Sequence, residues 1–70
     1  MLAFDLTLRE SEVLYRVAKG KTNRDIGNIL GSSPAAVKKH LQRVHEKLAV
    51  ETRTAAAAMA LQRVRELART

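Results

Sequence analysis

Residues 31–34, Gly-Ser-Ser-Pro, separate two stretches of helical apolar spacing and constrain the fold more than any other feature of the sequence. Glycine ends helices because it adopts a left-handed backbone without strain, serine caps helix N-termini, and proline is favoured at the first helical position. One helix therefore ends and the next begins within about three residues. The first is short, about 23–30, and the second runs over about 34–48. A short helix joined to a longer one by such a turn is typical of the helix-turn-helix motif.

Two further helices flank this motif. Thr7 and Glu10 have the spacing of a capping box, in which each side chain satisfies a backbone N–H of the other, and they predict a first helix at about 8–19. Thr52 precedes an alanine-rich stretch of high helix propensity, which predicts a fourth helix at about 53–68. The alternation of apolar and polar residues that marks a strand is almost missing. We therefore expect an all-α, four-helix helix-turn-helix domain.

The apolar residues of the third and fourth helices each form a stripe. At 100° per residue, four side chains of the third helix fall within about 60° of one another and should face the core: Val37, Leu41, Val44 and Leu48. The same spacing predicts an inward stripe in the fourth helix, made of Ala57, Leu61, Val64 and Ala68. The opposite side of that helix carries Ala55, Met59, Gln62 and Glu66, with Ala58 beside them. Either alanine serves there only as a good helix former, or these residues form a small two-fold interface.

The chain is strongly basic. Thirteen Lys and Arg against seven Asp and Glu give a formal net charge of +6 at pH 7 in only 70 residues. This charge suggests a nucleic-acid partner, or an anionic membrane surface. The absence of cysteine excludes disulfides and thiolate zinc sites, and no apolar run has the length of a membrane span. We expect a single domain, residues 1–70, in a soluble cytoplasmic protein.

The third helix concentrates positive charge on its outward side. Opposite the apolar stripe lie Ala35, Lys38, Lys39, Gln42, Arg43 and Glu46. Many polar helix faces are merely solvated, but this one is mostly cationic and lies on the second helix of a helix-turn-helix, the element that enters the DNA major groove. His40 and His45 lie on its flanks, about 140° apart around the helix, so they do not converge on a metal.

Four segments of the sequence resemble a known family. "LTLRESEVL", "GKTNRDIGNILGSS", "VKKH" and "HEKLAVETRTAA" are similar, in this order, to the LuxR/GerE-type helix-turn-helix domain of bacterial transcription regulators. The resemblance covers about residues 6–61. It implies a four-helix DNA-binding domain whose third helix lies in the major groove and whose fourth helix pairs two subunits.

The resemblance also implies roles for particular residues. The base-edge readers would be Lys38, Lys39 and Gln42, whose side chains suit guanine and adenine edges. The residues near phosphates would be Thr22, Asn23, Ser33, Arg43, Lys47 and Arg53. For subunit pairing the resemblance implies only the fourth helix, and the helical wheel then suggests Ala55, Ala58, Met59 and Gln62. The expected partners are double-stranded DNA, a second subunit bound weakly or only on DNA, and RNA polymerase, with no cofactor, metal, membrane or small-molecule ligand.

Three positions depart from the family pattern. Ala36 replaces a threonine whose hydroxyl often faces a phosphate, so one backbone contact should be missing. Gly27 replaces an alanine, which should cost the second helix about 1 kcal/mol of propensity. Ala49 replaces a glycine after the third helix, so a left-handed cap at this position should be strained or differently formed.

Other functions have weaker support in the sequence. A membrane-binding helix would need large apolar and aromatic residues opposite its charged face, and the chain has one Tyr and one Phe. A helix-turn-helix that binds only protein is the main alternative, and it predicts no salt-sensitive affinity for DNA. Residues spaced for nucleophilic catalysis or for a phosphate-binding loop are not found, so we expect no enzyme activity.

Overall fold

The computed structural model describes residues 5–68, and the side chains of residues 5–66. This part of the chain forms four helices and no strand, as predicted. They are α1 (Leu8–Ala18), α2 (Asn23–Leu30), α3 (Pro34–Leu48) and α4 (Arg53–Ala68). Only the end of α1 differs from the sequence prediction, by one residue, because Lys19 already leaves the helical conformation at ψ 3°. No helix in this part of the chain is long and apolar enough to cross a membrane.

Short-range capping interactions set where the helices begin. The Thr7 hydroxyl accepts a hydrogen bond from the Glu10 N–H at 3.2 Å, and the Glu10 carboxylate accepts one from the Thr7 N–H at 2.9 Å. Thr22 and Asp25 form the same reciprocal pair at the start of α2. These capping boxes satisfy N–H groups that have no partner within the helix. Each helix start is therefore fixed by residues three apart in the sequence.

The turns after α1, α2 and α3 each contain one residue in the left-handed conformation. Gly20 has φ 81° and Gly31 has φ 69°, values that glycine adopts without strain. Ala49 takes the corresponding position after α3, at φ 56° and ψ 44°. Of the two expected alternatives, a strained left-handed cap or a different one, the structure shows the left-handed cap, a conformation that is unfavourable for a residue with a Cβ.

Gly27 lies where the helix-turn-helix turn folds back onto α2. A Cβ added to Gly27 would meet the carbonyl oxygen of Ser32 at 2.5 Å, far inside normal contact distance. The Ser32 N–H also donates to the Gly27 carbonyl at 2.8 Å. Gly27 thus lowers the helix propensity of α2, as the sequence indicates, but it also permits this close approach of the turn.

One hydrophobic core joins the four helices. The predicted stripe of α3 is confirmed, because all four of its residues are buried. They pack with residues of the other helices and of the segment before α1. The buried apolar set is Leu6, Val13, Leu14, Val17, Ile26, Val37, Leu41, Val44, Leu48, Ala56 and Ala60.

The predicted inward stripe of α4 is wrong. Ala56 and Ala60 face the core, at 0% and 1% exposure, while Leu61 and Val64 are 43% and 47% exposed. Ala57 packs partly against the core, and the Ala68 side chain lies outside the described residues. The helix is rotated by about a quarter turn from the prediction, because small alanines let α4 approach the core closely. A prediction from apolar periodicity alone instead places the larger Leu and Val side chains on the inward side.

Candidate nucleic-acid interface

The outward face of α3 presents three exposed side chains within about one helical turn. They are Lys38, Lys39 and Gln42, the predicted base-reading residues, and Arg43 is exposed beside them. In the described part of the chain, no carboxylate lies within salt-bridge distance of either lysine or of Arg43. Their donors are therefore available to an external acceptor.

The core holds this face in place. Val37, Leu41, Val44 and Leu48 anchor the opposite side of α3, so the helix cannot rotate without exposing them. At its first turn the Ser33 hydroxyl accepts a hydrogen bond from the Ala36 N–H at 3.1 Å. The residues that follow the cap are Pro34, Ala35 and Ala36, which keep the start of the helix narrow. The face is a fixed surface with a narrow leading end, which suits insertion into a groove.

Lys47, predicted to contact phosphate, is held within the protein. Its ammonium lies 2.7 Å from Glu10 Oε1 and 3.3 Å from the Asp5 carbonyl oxygen. Glu10 is 2% exposed, yet it stays charged. The hydrogen bond from Lys47, followed by that from the Thr7 backbone, lowers the pKa of the Glu10 carboxyl below its ordinary value. The cation thus balances a buried carboxylate and joins the end of α3 to the start of α1.

Arg53, another residue of the predicted phosphate set, also has partners within the protein. One guanidinium nitrogen donates to Asn23 Oδ1 at 2.6 Å, and the other donates to the Lys21 carbonyl oxygen at 2.6 Å. The structure thereby brings together Arg53 and Asn23, two residues that are 30 apart in the sequence. They line an open groove of about 490 Å³ at the start of α2, with Lys21, Thr22 and Thr54 on its walls.

Thr22 and Ser33 act first as helix caps. The Thr22 hydroxyl accepts from the Asp25 N–H at 3.1 Å, and Ser33 accepts from Ala36. A hydroxyl oxygen that accepts still carries one O–H to donate. Both residues can therefore donate a hydrogen bond to a phosphate oxygen while they cap their helices. The pKa of the Asp25 carboxyl is lowered, mainly by the hydrogen bond from the Thr22 backbone N–H, so this cap stays charged.

The predicted pairing face of α4 is only partly open. Ala58 and Gln62 are exposed, whereas Ala55 is half-buried and Met59 packs partly against the core. Met59 therefore does not project freely from the helix, contrary to its sequence-based placement. Its position is intermediate because the real orientation of α4 differs by about a quarter turn from the predicted one.

Sequence reasoning missed the partners that hold Lys47 and Arg53 within the protein. Glu10 was recognised as a capping residue, but its burial and its bond to Lys47 were not, and Lys21 was not singled out. These contacts join residues more than 29 positions apart. The nearest sequence signal was the capping box itself, because a carboxylate held at the start of a core helix needs a counter-charge if it becomes buried.

Comparisons with known proteins agree with this architecture. Residues 5–60 match the family described as bacterial regulatory proteins, luxR family. The chain is 41% identical over 54 residues to a putative HTH-type transcriptional regulator, YhjB, of Escherichia coli, covering 77% of this chain and 27% of that protein. It is 46% identical over 56 residues to the probable transcriptional regulatory protein NarL of Mycobacterium tuberculosis, covering 80% and 26%. It is 40% identical over 57 residues to the nitrate/nitrite response regulator protein NarP of Escherichia coli, covering 81% and 26%.

These relatives are about four times as long as the part that aligns, since the chain spans about a quarter of the length of each. The match covers all of α1, α2 and α3 and the first half of α4. It therefore includes the whole helix-turn-helix and the contacts Lys47–Glu10 and Arg53–Asn23. The chain belongs to the luxR family of bacterial regulatory proteins.

Proposed function

We propose that this domain binds double-stranded DNA sequence-specifically by placing α3 in the major groove. The observation that carries the proposal is the exposed set of Lys38, Lys39 and Gln42 on a helix whose other side is anchored in the core. Among the described residues, these three side chains have no hydrogen-bond or ion-pair partner. Lysine donates to guanine O6 or N7, and glutamine pairs with adenine through two hydrogen bonds. Because the face is fixed, these contacts require little reorganisation on binding.

We propose that the residues near the DNA phosphates are of two kinds: those with donors available to a phosphate, and those already bonded within the protein. Arg43 and the hydroxyls of Ser33 and Thr22 have donors to give to phosphates, and their contacts would set the register of α3 on the duplex. Lys47 is exposed enough to add to the positive field along the DNA, but its main role would be to neutralise Glu10. Its removal should therefore affect the free energy of unfolding more than the number of phosphate contacts.

On DNA, two copies would pair through α4 at Ala55, Ala58, Met59 and Gln62. Support comes from the small side chains at 55 and 58 and from the exposure of Ala58 and Gln62. The patch has only these four residues, against about 20–30 on each side of a standard stable interface, so pairing should be weak in free protein. Such a dimer would place its α3 helices about 34 Å apart, one turn of DNA.

The role of the whole protein would be transcription regulation in the bacterial cytoplasm. Three relatives are named as transcriptional or response regulators, and the chain corresponds to about a quarter of their length. In that setting the domain would supply DNA binding, and RNA polymerase would be a partner of the assembled regulator on its promoter.

Selection of bound sequences from a random DNA pool tests this function in one experiment. We expect a defined motif to emerge, with two related half-sites about ten base pairs apart if pairing occurs on DNA. The affinity for the selected site should fall steeply with salt, with a log–log slope of about −5 to −9 for a dimer. No enrichment and a flat salt response would indicate a protein-binding module instead.

A further inference from the structure

The Arg53–Asn23 pair has a consequence for how the domain contacts DNA. A guanidinium group only donates hydrogen bonds, so the atom of Asn23 that faces Arg53 must be the amide oxygen. The 2.6 Å contact therefore fixes the orientation of the Asn23 amide. In the described part of the chain, the Asn23 Nδ2 makes no hydrogen bond to protein, and the residue lines the open groove at the start of α2. Nδ2 is therefore the donor that the amide has left for a group that enters the groove.

Arg53 also controls the backbone at this place. Its second hydrogen bond holds the Lys21 carbonyl oxygen, in the loop that leads into α2. Asn23 is the first residue of α2, where backbone N–H groups have no partner within the helix and the helix dipole is positive. One side chain from the first turn of α4 therefore holds both the loop and the side chain at the start of α2.

We propose that Arg53 is a positioning residue: it orients the Asn23 amide so that Nδ2 donates to a DNA phosphate, and it does not itself supply that contact. The inference rests on the proposed function, because it concerns a contact made to DNA. This proposal changes the role expected of Arg53, because the chain's resemblance to the family implies that Arg53 contacts a phosphate directly. The arginine's geometry matters here as well as its charge, because its planar guanidinium holds two N–H donors in a rigid fork, whereas a lysine ammonium is a single point on a flexible stem.

The test is a double-mutant cycle on DNA affinity with Arg53→Ala, Asn23→Ala and the double variant, together with Arg53→Lys. Each variant is melted first, and binding is measured at a temperature at which all are folded. We expect Arg53→Ala and Asn23→Ala each to weaken binding by roughly ten-fold. The double variant should be no weaker than Asn23→Ala alone. Arg53→Lys, which keeps the charge and loses the fork, should behave like Arg53→Ala.

The salt dependence of binding separates positioning from direct contact. Loss of the neutral Asn23 donor should leave the log–log salt slope unchanged, and so should Arg53→Ala. A direct phosphate cation should instead lower the magnitude of the slope by about 0.9 when it is removed. Arg43 is the matched control: Arg43→Ala should lower the slope, and Arg43→Lys should restore most of it.

Additive losses in the cycle, a lower slope for Arg53→Ala and near-normal binding by Arg53→Lys would together overturn the positioning role and return Arg53 to direct contact. That result would leave the proposed function intact. A wild-type domain that shows no salt-sensitive DNA binding would overturn both, so the two failures are distinguishable.

Discussion

Lys47 Nζ lies 2.7 Å from Glu10 Oε1 and thereby links the last turn of α3 to the first turn of α1. The carboxylate is buried and the ammonium is about one-third exposed. Glu10 also accepts from the Thr7 N–H, so one carboxylate closes a capping box and an interhelical ion pair. The helix that is proposed to read DNA is in this way fixed to the rest of the domain at its far end.

The ion pair predicts a specific dependence of stability on pH. The pKa of Glu10 is lowered in the folded protein from its ordinary value of 4.5. Its charged form therefore stabilises the fold above that pH, and the contribution is lost as pH falls through the lowered folded value. Glu10→Gln should reduce the free energy of unfolding at pH 7 by about 1–3 kcal/mol. The difference from wild type should shrink below pH 4.5, as measured by urea unfolding at several pH values.

Glu12→Gln is the matched control for that experiment. Glu12 forms an exposed pair with Arg9 at 3.3 Å, and such pairs contribute little. Its substitution should change the free energy of unfolding by no more than about 0.5 kcal/mol at pH 7. Equal losses of unfolding free energy in Glu10→Gln and Glu12→Gln would show that the buried ion pair stabilises the fold no more than the exposed one.

Ala49→Gly should stabilise the domain. Ala49 has φ 56°, and glycine removes the strain of its Cβ in this conformation at some cost in chain entropy. We expect a net gain of about 0.5–1 kcal/mol in thermal or urea unfolding. Ala58→Gly, at an exposed helical position of α4, should lose about 1 kcal/mol. A destabilised Ala49→Gly variant would contradict the strained cap.

Gly27→Ala separates the sequence prediction from the structural one. Helix propensity alone predicts a gain of about 1 kcal/mol. The added Cβ, however, would meet the Ser32 carbonyl oxygen at 2.5 Å, and backbone must move to relieve the clash. We expect a net loss of about 1–3 kcal/mol. Asn28→Ala, exposed on the same helix, should be neutral or slightly stabilising, and a gain in both variants would mean that the turn shifts freely.

Pairing through α4 is tested with two substitutions that change charge equally. Ala58→Glu lies on the predicted pairing face, and Val64→Glu, also at an exposed position, lies on nearly the opposite side of the same helix. Both remove one unit of net charge, so both should weaken DNA binding slightly through electrostatics. Only Ala58→Glu should abolish cooperativity on a duplex with two half-sites, measured against a single half-site. Met59 is less suitable because it packs partly against the core, so Met59→Glu would also destabilise the fold.

The sequence predicted the helices well because their boundaries depend on local interactions. Thr7, Thr22 and Ser33 each cap a helix through a residue three positions away, which is visible in the sequence. The inward side of α4 was predicted incorrectly, because alanine looks neutral by hydropathy although its small size permits the closest packing.

The long-range part of the site could not be read from the sequence. Lys47 and Arg53 resemble the family's phosphate-binding cations by position, but their partners within the protein depend on the assembled fold. The family pattern gives a position and its residue type, whereas the contacts show that both side chains are already engaged. The exposed set of α3 was predictable because one helical period determines which residues share its outward face.

The central claim, that α3 reads bases, is tested most directly by the ratio of affinities for a selected site and for random DNA. Lys38→Ala, Lys39→Ala and Gln42→Ala are measured on both duplexes at one salt concentration, with Arg43→Ala as the phosphate control. The account predicts that each of the first three weakens binding to the selected site by about 1–3 kcal/mol, weakens binding to random DNA much less, and leaves the melting temperature unchanged. Arg43→Ala should weaken both duplexes alike. Equal losses on the two duplexes for Lys38, Lys39 and Gln42 would contradict base reading by α3.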